Sequence, residues 1–319
     1  MTTAPASAAA PAAPTVGATL VTSEQSEATA RRGAGPRVRR VGFAWLGLTP
    51  FAAHVLLFLA VPAVIAVGSG FTDGDGRVTF GNLAAFADPS VLRAFGASFG
   101  LSAVSAVLGA VIGALVCWAL AALRPDGFVR TAIDAAASVL AQFGGVMLAF
   151  AFIATIGAQG LVTTWLVSTF GIDLNADGAF LYTVPGLVLP YVYFQVPLMV
   201  LTFMPALEGV KSQWGEAAAT LGASRLTYWR RVGLPVLAPA FWGSLLLLFA
   251  NGFSSFATAA ALISQGGIVP LTIRAQLTSE TVIGLENVAG VLAFGMVVVM
   301  AVVMGGYSLL QRRAARWQR

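Results

Sequence analysis

The sequence predicts an all-α membrane protein with six transmembrane helices and both termini on the cytoplasmic side. Three observations carry this expectation. Of 319 residues, 58% are hydrophobic and only 10% charged, and mean hydropathy is +0.84; a soluble domain carries about 25% charged residues. The apolar residues gather into runs at about 43–67, 95–121, 132–156, 180–205, 239–264 and 289–311, each long enough for the roughly 20 residues that cross a bilayer. The charges then sort by sign between alternate connections. Arg31, Arg32, Arg37, Arg39, Arg40, Arg124, Arg130, Lys211, Arg225, Arg230, Arg231, Arg312, Arg313, Arg316 and Arg319 fall on one side. The other side holds Arg77, Arg93 and Arg274 against Asp73, Asp75, Asp88, Asp173, Asp177, Glu280 and Glu286. Basic residues collect in the cytoplasm, so the net charge of +5 records topology and not nucleic-acid binding.

Residues 1–42 read as a disordered cytoplasmic tail, because their Ala, Pro, Thr and Ser cannot bury a core. Arg39-Arg40 ahead of the first run resembles a twin-arginine signal, but more than 20 apolar residues are too many for a signal-peptide core. Asp73-Gly74-Asp75-Gly76 predicts a hairpin-type turn; the other calcium-loop positions and the closing glutamate are missing. Leu161–Val167 predicts a short amphipathic helix along the outer interface. Gln265-Gly266-Gly267 predicts a bend, followed by a helix re-entering the membrane. Cys117 lies in an apolar run as a small buried hydrophobe, and His54 as a helix-packing side chain.

The segment 213–239 departs from its surroundings. Glu216 and four bases, Lys211, Arg225, Arg230 and Arg231, lie between two apolar runs. Ser212 is expected to cap a first helix, with Glu216 in its opening turn against the dipole. Ala217, Ala218 and Ala219 favour helix. Gly222 is expected to end it in the left-handed conformation, Ser224 to cap a second short helix through Trp229 and Arg231, and Leu234-Pro235 with Pro239 to close the region. Such an alanine face fits a groove on a partner; it also fits an ordinary cytoplasmic loop.

The only lysine, Lys211, follows Val210, so no phosphate-binding Gly-Lys-Ser/Thr can form. The expectation is a non-catalytic membrane subunit without cofactor or metal. Asp134 is read near a cytoplasmic end of its span and the remaining carboxylates in tails or loops, which weakens proton- or sodium-coupled transport. Neutral polar residues remain in the runs: Gln142, Gln195, Asn251, Ser254, Ser255 and Thr258. They serve either inter-helix hydrogen bonding, at about 0.6 kcal/mol each, or a translocation path, with Asn251 to Thr258 expected on one helix face. Pro185, Pro190 and Pro197 with Tyr191, Tyr193 and Phe194 predict a kinked, aromatic-lined helix and a possible gate.

Glu216-Ala217-Ala218, Gly222, Leu234-Pro235 and Pro239 together resemble the cytoplasmic EAA loop of binding-protein-dependent ABC importer permeases. The resemblance covers a core of 95–311 within a permease domain of 43–319, with a coupling loop at 207–238. It implies the type I importer fold and a multi-pass location in the bacterial plasma membrane. The implied partners are two ATP-binding subunits, a second permease and an extracellular solute-binding protein, besides the lipid bilayer. Hydrolysis then lies on the ATP-binding subunits, and alternating access is driven through coupling contacts at Glu216, Ala217, Ala218 and Gly222. Phe143-Gly144-Gly145-Val146, Phe256–Leu262 and Val269-Pro270-Leu271 look like the polyamine-type subgroup, whose relatives also import ferric iron, thiamine and aminoalkyl phosphonates; a sugar is a further alternative.

Overall fold

The long apolar runs form helices because in a bilayer every backbone polar group must find its partner within the segment. The computed structural model describes residues 44–124, 126–173, 175, 176, 178, 180–263, 266–278 and 285–317. The tail assigned to 1–42 lies outside them. Among the described residues, six helical stretches are long and apolar enough to cross a membrane: Gly47–Phe71, Pro89–Ala121, Gly145–Phe170, Pro185–Glu208, Arg225–Ser254 and Asn287–Arg313. The chain divides after Val61 into two compact units.

In the first unit, α1 (Ala44–Val55) continues into a π turn, Leu56–Ala60. Phe51, Leu57 and Phe58 are exposed. The His54 ring stacks near Phe58, 5.0 Å between centroids.

The second unit follows from α2 (Val61–Gly68). A turn at Asp73 comes next, in which the carboxylate accepts the amides of Asp75 and Arg77. Its backbone bonds explain the aspartate without a metal. Asp88 caps α3 (Pro89–Ala121) by accepting the Ser90 amide, and the Ser90 hydrogen bonds hold its carboxyl below the usual range. One face of α3 is small (Ser98, Ser102, Ser105, Ala106, Gly109, Ala110, Gly113) and fully covered. A Cβ at Gly113 would sit 2.5 Å from Met199 Cβ, so only small residues let α7 (Val188–Glu208) approach this closely.

The run read as one span at 132–156 is two elements. An amphipathic helix, α4 (Phe128–Gln142), stops at Phe143, and α5 (Gly145–Ile156) starts after Gly144. Gly145 has φ +73°, a conformation that continues no helix. The third span therefore begins at Gly145 and takes in the predicted helix at 161–167, observed as α6 (Leu161–Phe170). Asp134 consequently lies on α4, outside the spans.

α7 runs unbroken past Pro197 and Pro205. Tyr191 and Phe194 are core side chains, 0% and 5% exposed, and so do not line a gate on this chain's surface. α8 (Ser212–Thr220) and α9 (Arg225–Tyr228) precede a π turn, Trp229–Gly233, that leads directly into α10 (Leu234–Ser254). Leu234-Pro235 and Pro239 thus do not close the region. The Leu234 amide bonds to the Trp229 carbonyl, and the wider turn absorbs the proline. Gly233 is required there, since its Cβ would lie 2.4 Å from the Trp229 ring. α11 (Ala257–Leu262), α12 (Val269–Leu277) and α13 (Leu285–Trp317) complete the chain. The bend before α12 is present, with Gly266 and Gly267 at positive φ. α12 is anchored by the Val269 amide donating to Ser98, 2.8 Å, in the buried interior.

Candidate functional site

The loop at 212–224 is a regular element left outside the packing. Lys211, extended at ψ 134°, occupies the N-cap of α8 and offers no side-chain bond. Ser212 is therefore the first helical residue and not the cap. Glu216 lies in the second turn, one turn beyond the place where a carboxylate faces the free amides. The far end follows the sequence reading. Gly222 has φ +75°, its amide bonds to Ala219 and the Ala223 amide to Ala218, 2.9 Å each. Two such bonds around a left-handed glycine form the Schellman stop. Ser224 caps α9 by accepting the Thr227 amide at 3.2 Å. No residue of α8 is buried; Glu216 and Ala217 are exposed, Ala218 half-buried, and Leu221 is 88% exposed at the tip. Beside the loop, a cleft of about 310 Å³ is lined by Trp214 of α8 together with Thr202, Ser244, Tyr307 and Gln311.

The seven polar residues read as a possible path do not lie together. Gln195 is fully buried where α3, α7 and α10 cross; its amide donates to Ser105 at 3.1 Å, while its carbonyl oxygen and the Ser102 hydroxyl have no partner. Gly109 and Gly252 make room for it. Thr258, also fully buried, accepts the Gly145 amide at 2.9 Å and donates to the Gly145 carbonyl at 3.2 Å. Tyr191 donates to the Ser255 carbonyl at 3.0 Å. Asn251, Ser254 and Gln142 are exposed. The expected single face from Asn251 to Thr258 does not exist, because α10 ends at Ser254 and Ser255 is extended, ψ 117°. The sequence reading missed the partner roles of Ser98, Ser105 and Gly145. It also counted Arg130 only as a topology charge, although Arg130 is 7% exposed and ion-paired. The i, i+4 spacing of Arg130 and Asp134 was the one available signal.

This six-span frame, with a capped helix projecting between the fourth and fifth spans, is that of an ABC importer permease of type I. The chain aligns over 85% of its length, TM-score 0.63 and 16% identity, with 95% of a chain in the crystal structure of a bacterial ABC transporter involved in the import of the acidic polysaccharide alginate. Residues 175–316 match the family described as binding-protein-dependent transport system inner membrane component. The described residues thus share the fold of such a permease, with six helices long and apolar enough to cross a membrane. Among curated relatives, a sulfate transport system permease protein of Salmonella typhimurium is 30% identical over 171 residues, 53% of this chain and 58% of that protein. A probable sulfate transport system permease protein of Nephroselmis olivacea is 25% identical over 232 residues, 72% of this chain and 75% of that protein.

Proposed function

We propose that this chain is one of two permease halves of an ATP-driven importer, and that α8 is the element through which ATP-binding subunits drive it. The observation that carries the reading is the Schellman-ended helix Ser212–Thr220 with no buried residue. A short helix in water is marginal by itself; one that is capped yet uncovered is shaped for a partner's groove. Glu216 offers that groove a charge, Ala217 and Ala218 permit close approach, and Gly222 fixes the exit of the chain.

The wiring supports the same reading. Three residues, 209–211, join α8 to α7, and on the other side α9, the π turn and α10 form one helical rod. A displacement of α8 therefore reaches two spans at once. Those two spans meet at the Tyr191–Ser255 hydrogen bond. Moving them against a second permease would open a path to one side and close it to the other, with a solute-binding protein delivering outside. Of the residues read as path-lining, Asn251, Ser254 and Gln142 are free to face such a shared path; Gln195, Tyr191 and Thr258 act inside this chain by holding its helices.

For the solute, the favoured reading is an oxyanion such as sulfate, with a sugar second. Among the described residues the only carboxylate within the spans is Glu208, at the end of the fourth and paired with Arg130, so a polyamine would meet no free counter-charge there. The relatives' names are of sulfate and alginate systems and give the polyamine expectation no support.

The test is capture of the tagged chain from cross-linked native membranes, with mass spectrometry of its companions. An ATP-hydrolysing subunit and a second permease are expected, with Glu216→Lys losing the ATP-hydrolysing subunit while its insertion is unchanged. A chain that comes down alone, or with an ATP-hydrolysing subunit indifferent to Glu216→Lys, refutes the reading. Radiolabelled sulfate uptake that putrescine outcompetes would reverse the solute assignment.

A further inference from the structure

We infer that Arg130 is a positioning residue that locks the stem of the projecting helix to the ends of two neighbouring helices. This inference rests on the reading of α8 given above. Arg130 stands in the first turn of α4, with its side chain 8% exposed. Its guanidinium donates from Nε to Asp134 at 2.7 Å, from Nη2 to Glu208 at 2.5 Å, and from Nη1 to the Leu120 carbonyl at 3.5 Å. These three acceptors come from three helices. Asp134 belongs to α4 itself, Glu208 is the last residue of α7, and Leu120 lies in the last turn of α3.

Its position is what gives the contact a consequence. Glu208 is four residues before Ser212, so the part of a push on α8 that enters α7 passes through 209–211 to the residue Arg130 holds. A planar fork of donors holds two carboxylates at fixed angles, which a lysine cannot do. The Asp134 hydrogen bond, followed by that of Glu208, raises the guanidinium's affinity for its proton further. With Arg130 in place, the end of α7, the start of α4 and the end of α3 move as one body, carrying the stem of α8 with them. Without it, a push arriving at Glu208 displaces the end of α7 alone and is not passed to the ends of α4 and α3. The two links differ in kind: Arg130–Asp134 is an i, i+4 pair within one helix, whereas Arg130–Glu208 joins separate helices. Removal of Glu208's charge should therefore break the lock, and removal of Asp134's should not. The carboxylates are 45% and 51% exposed, so each stays hydrated when the arginine is replaced and the fold survives.

The experiment places spin labels at Leu123→Cys and Thr220→Cys in a Cys117→Ala background, in the complex captured from the native membrane, with and without a non-hydrolysable ATP analogue. With Arg130 intact the inter-label distance is expected to stay constant on nucleotide addition. Arg130→Gln and Glu208→Gln are expected to introduce a nucleotide-dependent shift, and Asp134→Asn to leave the constant distance. A nucleotide-dependent shift with Arg130 intact overturns the inference, and so does constancy in both Arg130→Gln and Glu208→Gln, or a shift in Asp134→Asn equal to theirs. An effect of stability alone would change expression or melting without this nucleotide dependence. Failure of the underlying reading is separately visible: Glu216→Lys would then retain the ATP-hydrolysing subunit, or none would be captured, and the inference falls with it.

Discussion

Two polar regions of this chain, both singled out by unusual residues among apolar ones, end in opposite states. Around Thr258, the break at Gly144-Gly145 and the break at Ser255-Phe256 meet and satisfy each other: a hydroxyl serves both backbone groups of Gly145, and a tyrosine serves Ser255. Around Glu216, the helix satisfies its own C-terminal end and buries none of its residues fully. The first region has used its hydrogen-bonding capacity within the chain and acts as structure. The second has retained its surface and is available to a partner. What separates them is whether tertiary packing consumes the polar groups, and the residue types involved do not reveal that.

Thermal unfolding of the purified chain in detergent, followed by tryptophan fluorescence, tells the two regions apart. The largest loss is expected for Thr258→Val, which leaves the Gly145 amide unpaired beside a buried methyl and should cost about 1–3 kcal/mol; Thr258→Ser should restore most of it. An unchanged melting temperature for Thr258→Val would mean the two breaks are not held together by this hydroxyl. Gly222→Val follows, forcing a branched residue into the left-handed region at about 1–2 kcal/mol. Because α8 is uncovered, that loss should register as fraying of the loop to proteolysis more than as a lower melting temperature. Global destabilisation would show the loop to be packed after all.

Gln195→Leu is expected to be nearly neutral, within about 0.6 kcal/mol. It removes one hydrogen bond to Ser105 but also a buried carbonyl oxygen that has no partner, and Ser105 keeps its bond to the Leu101 carbonyl at 2.7 Å. A drop as large as that of Thr258→Val would mean that the Gln195 oxygen is satisfied by a buried water. Smallest of all is Ala217→Leu, an exposed change expected within about 0.5 kcal/mol. It should nonetheless weaken capture of the ATP-hydrolysing subunit by filling the face that approaches it. Normal capture by Ala217→Leu would remove the alanines from the contact.

Much of the loop was legible in advance because caps are local. Gly222 and Ser224 each act on amides within three residues, so sequence spacing specifies their geometry. Ser212 was misread as a cap because Lys211 takes the extended conformation one residue earlier. Pro235 and Pro239 were misread as closing signals because a proline at the start of a helix and a proline absorbed by a π turn look alike in sequence. The path residues were the least legible. Gln195 and Asn251 are both lone amides in apolar runs, yet one faces Gly109 and Gly252 and the other faces outward.

The sequence alone established the membrane class, the number of spans and the C-terminal stop of the projecting helix. Hydropathy and charge are sums over a local window, and capping is a bond to the next turn, so neither needs the rest of the chain. Only the tertiary structure decided that the third span starts at Gly145, that Tyr191, Gln195 and Thr258 are interior, and that Arg130 grips Glu208. Each of those outcomes depends on a helix that is distant in sequence and close in space. A partner 78 residues away for Arg130, or 113 away for Gly145, leaves no trace in any local pattern.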